Sequence, residues 1–262
     1  MAEDNDDPVL TARAAEGAVT VLTLNRPAKR NAFDQPMLKV LRARLAHCEG
    51  DPECRAVVLT GAGKGFCSGV DLDTIDPGET GPRFRHRLRI GAHAVAEQLF
   101  AMETPVLGAV NGAAVGAGFD LALQTDIRLV AADAVLAASY VNVGLFPGNG
   151  ATHLLPRIVG TERALELLWT GRRLTGREAV RCGLALDAVP AREVLAITVR
   201  LATEIAAKPA ELVRAVKRSV YDSARLSRSE AFAVIASDAA LLRDLPEVRA
   251  RLAEIGNGRG AG

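Results

Sequence analysis

Short apolar runs and helical spacings alternate up to about residue 190, and beyond Arg192 only helical spacing remains. Val9–Ala15 and Ala18–Leu24, split by Glu16-Gly17, predict a hairpin that ends at Asn25-Arg26-Pro27. Pro36 opens a helix with Leu38, Leu41, Leu45 and Cys48 on one face. Ala56–Thr60 reads as a short buried strand leading into a Gly-rich loop, 61–72. Residues 73–82 read as a mobile loop with little to bury. A single helix is predicted from there to about Met102, with Phe84, Leu88, Gly91, Val95 and Leu99 inward. Its Arg83, Arg85, Arg87 and Arg89 read as a solvated face rather than an anion site.

The stretch Pro105–Asp126 holds the densest chemistry. Val106–Val110 has the length of a buried strand, Asn111-Gly112 a turn, and Gly116-Ala117-Gly118 opens a helix to about Gln124. Small residues at a strand-to-helix turn let a ligand approach the backbone. The first N–H groups of a helix have no intrahelical partner and lie at its positive end. They can hold an anion, or an oxygen that becomes one during reaction. Asp120 follows in the first turn. A plain strand–helix packing junction, with an acid that favours a helix start, is an equal reading of this stretch alone.

Ile127–Val130 and Val135–Ala138 are predicted strands, and 143–150 a second glycine-bearing loop. A helix follows Thr161, and Thr175 with Glu178 makes a capping box for another. Helices are expected over 192–207, 209–222, 228–242 and 246–255, with Ser227 and Glu230 a second capping box. The predicted division is an α/β core over 8–191 and a helical region over 192–255. Residues 1–7 and 256–262 read as disordered tails. No internal repeat is legible.

Composition narrows the function. The 262 residues suffice for one large domain, and 49% hydrophobic residues for a sizeable core. A net charge of +1 gives no pull toward nucleic acid or membrane. No apolar run approaches the ~20 residues of a membrane span, and the acidic start is no signal peptide. Cys48, Cys54, Cys67 and Cys182 form no CxxC pair, which favours reduced thiols in the cytoplasm, and unclustered histidines argue against zinc. A dinucleotide site fails because Gly116-Ala117-Gly118 lacks the third glycine of GxGxxG. A serine hydrolase on Ser68 fails because GFCSG is not G-x-S-x-G. His47, His86, His93 and His153 carry no motif.

Two loops read together decide more: Phe66-Cys67-Ser68-Gly69-Val70-Asp71-Leu72, and Asn111-Gly112 through Gly116-Ala117-Gly118 to Asp126. With Leu24-Asn25-Arg26-Pro27, Asn31-Ala32, 143–148, Leu155-Pro156-Arg157 and 174–184, in this order, the chain resembles the crotonase superfamily, the enoyl-CoA hydratase/isomerase proteins. The resemblance implies an α/β fold, a spiral of ββα turns, with C-terminal helices used to assemble a trimer or a dimer of trimers. It implies an acyl-CoA thioester as substrate and no cofactor beyond the coenzyme A it carries. The thioester oxygen would lie between the N–H groups of Val70 and Ala117, beside Gly69, Gly116 and Gly118. The Ser68 carbonyl, Arg26, Lys29, Arg30, Asp71 and Leu72 would lie along the coenzyme A path. Charge building on that oxygen is what preorganised N–H donors stabilise, and one donor can contribute roughly 3–4 kcal/mol.

The resemblance also shows a departure. Hydratases of the family use two glutamates to position and activate water. Here the first falls at Asp120 and the second at Tyr140. A phenol with a pKa of ~10 is a poor base near neutrality. Tyr140 is therefore either a hydrogen-bond donor at the site or a packing residue with a local partner. Asp126 reads as structural, paired with Arg128, and Asn149 falls where some isomerase relatives carry a nearby acid. The expectation is a hydratase or isomerase with Asp120 as its proton-transfer carboxylate. An acyl-CoA-binding protein that has lost catalysis is the alternative.

Overall fold

A computed structural model describes residues 7–258. The strands are β1 (Val9–Ala14), β2 (Val19–Leu24), β3 (Ala56–Gly61), β4 (Gly65–Cys67), β5 (Val106–Val110), β6 (Ala113–Val115), β7 (Ile127–Ala131), β8 (Val135–Ala137), β9 (Leu174–Thr175) and β10 (Asp187–Val189). Between them run α1 (Gln35–Gly50), α2 (Gly81–Ile90), α3 (Ala92–Ala101), α4 (Ala117–Leu123), α5 (Ala151–Val159), α6 (Thr161–Thr170) and α7 (Gly176–Arg181). The chain then continues as α8 (Ala191–Ala206), α9 (Ala210–Ser223), α10 (Arg228–Arg243) and α11 (Pro246–Gly258).

Two sheets form, ordered β1-β2-β3-β5-β7-β10 and β4-β6-β8-β9. Apart from the β1–β2 hairpin and the β8–β9 pair, all neighbours are parallel. Each of β3, β5 and β7 is followed by a short strand in the second sheet, so the chain climbs in repeated steps. Asparagines fasten the steps: Asn111 Nδ2 donates to the Gly61 and Gly63 carbonyls at 2.9 and 3.1 Å, and Asn31 Nδ2 to those of Ala62 and Gly65 at 2.9 and 2.8 Å. β3 and β5 are buried along their whole length, as parallel strands covered on both faces must be.

Several expectations need correction. The predicted helix to Met102 is two helices broken at Gly91, whose φ of −101° and ψ of −104° are not helical. A Cβ there would lie 3.0 Å from the Arg87 carbonyl oxygen and would make the end of the Gln35 side chain swing away. Phe84, expected inward, is exposed beneath the Arg87 guanidinium at 5.1 Å. Arg87 is not merely solvated: it grips Glu79 in a bidentate pair at 2.7–3.2 Å. Strands β4, β6, β9 and β10 and helix α5 went unpredicted.

Helix α8, assigned by sequence to the appended region, packs on β3, β5 and β7 of the large sheet. Its Val199, Leu201 and Ile205 face that core rather than standing free. The N-terminal tail expectation fails at Asp7, which accepts from the Val9 N–H at 3.0 Å and pairs with Arg44 at 2.8 Å. At the other end α11 continues to Gly258, past the predicted start of a tail at 256. The rest of both expected tails lies outside the described residues.

Candidate active site

The two glycine-bearing loops meet. Phe33 N–H donates to the Gly69 carbonyl at 2.8 Å, and Asp71 N–H to the Phe33 carbonyl at 2.9 Å. That parallel bridge turns the Val70 N–H away from Phe33. Gly69, at φ +98°, brings the loop against the start of α4: a Cβ built on it would lie 3.2 Å from the Ala117 nitrogen. Ala117 is the first residue of α4, after Gly116 at φ +54°. Neither the Val70 nor the Ala117 N–H has an acceptor among the described residues. Gly118 sets the spacing, because a Cβ there would stand 2.1 Å from the Cys67 carbonyl oxygen.

One helical turn on, Asp120 is fully buried. Its Oδ2 accepts from the Ala151 N–H at the start of α5, at 3.2 Å, while its Oδ1 has no partner. Burial raises its pKa from 3.8 to about 7, against the opposing pull of the Tyr140 hydroxyl and the Ala151 and Asn149 N–H groups. A carboxyl so tuned can both take and give a proton near neutrality. Tyr140 is buried beside it, and burial, then the Asp120 charge, push the phenol well above its ordinary 10, which removes it as a base. Asn149 Nδ2 donates to the Tyr140 hydroxyl at 3.4 Å, and Asn149 Oδ1 is buried without a partner.

Val70 and Asn149 share a cavity of about 290 Å³ with Phe33, Leu88 and Ala92. A second cavity, about 360 Å³, also touches Asn149 and is lined by Leu123, Gln124, Tyr221 and Arg225. His93 ties α3 to the loop before α5 through the Gly148 carbonyl at 2.6 Å.

The expected coenzyme A residues divide. Arg26 is held inside the chain by Asp71 at 2.8 Å, Asp34 at 3.3 Å and the Ala32 carbonyl at 2.6 Å. Asp71 is buried and braces the loop, accepting also from Asp73 N–H. Lys29 lies among Asp71 and Asp73, and Arg30 is exposed at φ +52°. Ser68 is half-buried, its hydroxyl donating to the Lys29 carbonyl at 3.3 Å, and Leu72 is exposed.

Asp126 is structural, but its expected partner is wrong. It pairs with Lys217 at 2.8 Å and accepts from Tyr221 at 2.8 Å, both on α9, and from the Val106 N–H at 2.7 Å. Arg128 instead donates to backbone carbonyls, among them Leu184 at 2.9 Å. Sequence reasoning missed the Ala151 N–H. Its signal was the helical spacing of Ala151, Leu155 and Ile158, masked by Pro156 inside α5.

The profile of the Enoyl-CoA hydratase/isomerase family matches residues 14–251. The chain belongs to that family. It is 40% identical over 220 residues to a probable enoyl-CoA hydratase of Mycobacterium tuberculosis, covering 83% of each chain. It is 34% identical over 207 residues to the 1,2-epoxyphenylacetyl-CoA isomerase of Escherichia coli, covering 78% of this chain and 79% of that one. An enoyl-CoA hydratase crystal structure from Bacillus anthracis superposes with a TM-score of 0.90 at 27% identity, over 96% of both chains. As expected, the site holds one carboxylate, Asp120, with a phenol and a carboxamide beside it. Among the described residues no helix is long and apolar enough to cross a membrane, and no cluster of His, Cys, Asp or Glu could hold a metal.

Proposed function

We propose that this chain is an enoyl-CoA hydratase or isomerase that binds an acyl-CoA thioester between the N–H groups of Val70 and Ala117. Asp120 is its proton-transfer group. The observation that carries the reading is the convergence of two unpartnered backbone donors across Gly69, one helical turn from a buried carboxyl with a pKa of about 7. The donors stabilise charge on the thioester oxygen as an enolate develops, and Asp120 moves a proton at the α or γ carbon. Binding without turnover would need no such tuned acid.

The acyl chain enters the cavity walled by Leu88 and Ala92, and the coenzyme A phosphates run toward Arg30 and Lys29. No cofactor is needed beyond the coenzyme A of the substrate. The free thiols suit a cytoplasmic enzyme. Assembly into a trimer, or a dimer of trimers, is supported by apolar side chains left exposed on α10 and α11, among them Phe232, Leu241, Leu252 and Ile255. Light scattering of the purified protein checks it.

The test of function is turnover on 2-enoyl-, 3-enoyl- and dienoyl-CoA esters by the wild type and by Ala117→Pro. Proline removes one donor. Turnover of at least one ester, abolished in the folded proline variant, is expected. Full activity in that variant would sink the assignment.

A further inference from the structure

We propose that Asn149 is a water-holding residue: its Oδ1 and the Oδ1 of Asp120 together accept the two hydrogens of the water added to the substrate. This rests on the acyl-CoA reading above. It deepens that reading by making hydration, and not only isomerisation, a reaction of the site.

Only four buried side-chain polar atoms among the described residues lack a partner, and two of them are these oxygens. A buried acceptor left unsatisfied is costly, so a pair in one cluster marks a place built for a donor. They do belong to one cluster. Ala151 N–H holds the other carboxyl oxygen of Asp120. Asn149 Nδ2 is committed to the Tyr140 hydroxyl, which stands beside the Asp120 carboxyl. That commitment fixes the amide so that Oδ1, and not Nδ2, remains available. Both residues are more than nine-tenths buried, and Asn149 lines the cavity that contains Val70. Water, with two hydrogens for two acceptors, fits that demand.

The step balances with Asp120 as the single acid–base group. The water oxygen bonds to C3 of the 2-enoyl thioester, and the C2=C3 electron pair moves to the thioester oxygen, held by Val70 and Ala117. The water's proton passes to ionised Asp120. The enolate then collapses, C2 takes the proton from Asp120, and the carboxylate is restored. Asn149 aims the water and exchanges no proton. Tyr140, engaged by Asn149 Nδ2, holds the amide in place.

The experiment compares two reactions in one enzyme. Hydration of 2-hexenoyl-CoA consumes water. Isomerisation of 3-hexenoyl-CoA moves a proton between carbons without it. Asn149→Ala should lower kcat for hydration roughly ten- to a hundredfold more than kcat for isomerisation, with little change in KM for either. Asn149→Asp keeps an acceptor at the same reach. It should retain more hydration than the alanine variant, with its pH limb displaced upward by the added negative charge near Asp120. It also serves if the alanine variant does not fold. Unchanged hydration in Asn149→Ala, or equal loss of both reactions in the folded variants, overturns the assignment. A wild type that isomerises without hydrating overturns it too, while the acyl-CoA reading stands. A wild type that does neither takes that reading down as well.

Discussion

Replacing Asp120 by asparagine should make the protein more stable and less active at the same time. The carboxyl is fully buried, and burial raises its pKa from the 3.8 of an exposed acid to about 7. Between those values the unfolded chain has released the proton and the folded chain still binds it. Stability therefore falls as pH rises through this window, and the full penalty stands above pH 7. At about 1.4 kcal/mol per pH unit, the interval corresponds to roughly 4 kcal/mol. Asparagine does not titrate, and its Oδ1 can still accept from the Ala151 N–H. The stability of Asp120→Asn relative to wild type should thus climb from pH 4 to pH 7 by up to roughly 4 kcal/mol and then level off. Denaturant unfolding of both proteins at half-unit pH intervals measures it. Turnover should fall by about 10²–10⁴, with acyl-CoA affinity little changed. A flat stability difference across pH 4–8 would refute the reasoning, because the carboxyl would then ionise as easily folded as unfolded.

Tyr140→Phe should lose less than tenfold in kcat, since the phenol is no base; a loss equal to that of Asp120→Asn would make it a second catalytic group. Gly118→Ala sets a Cβ 2.1 Å from the Cys67 carbonyl and must push α4 off β4; a drop of about 10²-fold in turnover is expected, and wild-type rates would refute the oxyanion geometry. Lys217→Met removes the partner of Asp126 on α9. It should destabilise by about 2 kcal/mol, below the roughly 3–5 of a fully buried broken pair, because Tyr221 and the Val106 N–H keep their bonds. Thermal unfolding reads that loss, and kcat should stay within about twofold.

The sequence by itself determined the elements whose signals are local. The hairpin, α1, β3, β5, α4 and both capping boxes follow from period, caps and turn residues, and the structure places them within a residue or two. The ordered glycine motifs named the family, because backbone donors at tight turns leave a mark in residue type. What the sequence could not show was anything set by a distant neighbour. The short strands β4 and β6 carry no alternation and exist only because each pairs with the step above or below it. Asp126 takes its partners from α9, about ninety residues away. Asp120 was legible as an acid beside a helix start. Its proton affinity was decided by its burial in the folded chain, against the opposing hydrogen bonds of Tyr140 and Ala151, and the open acceptor of Asn149 by which atoms the folded chain leaves unpaired. Local chemistry fixes which groups are available; packing fixes which are dry, paired or free.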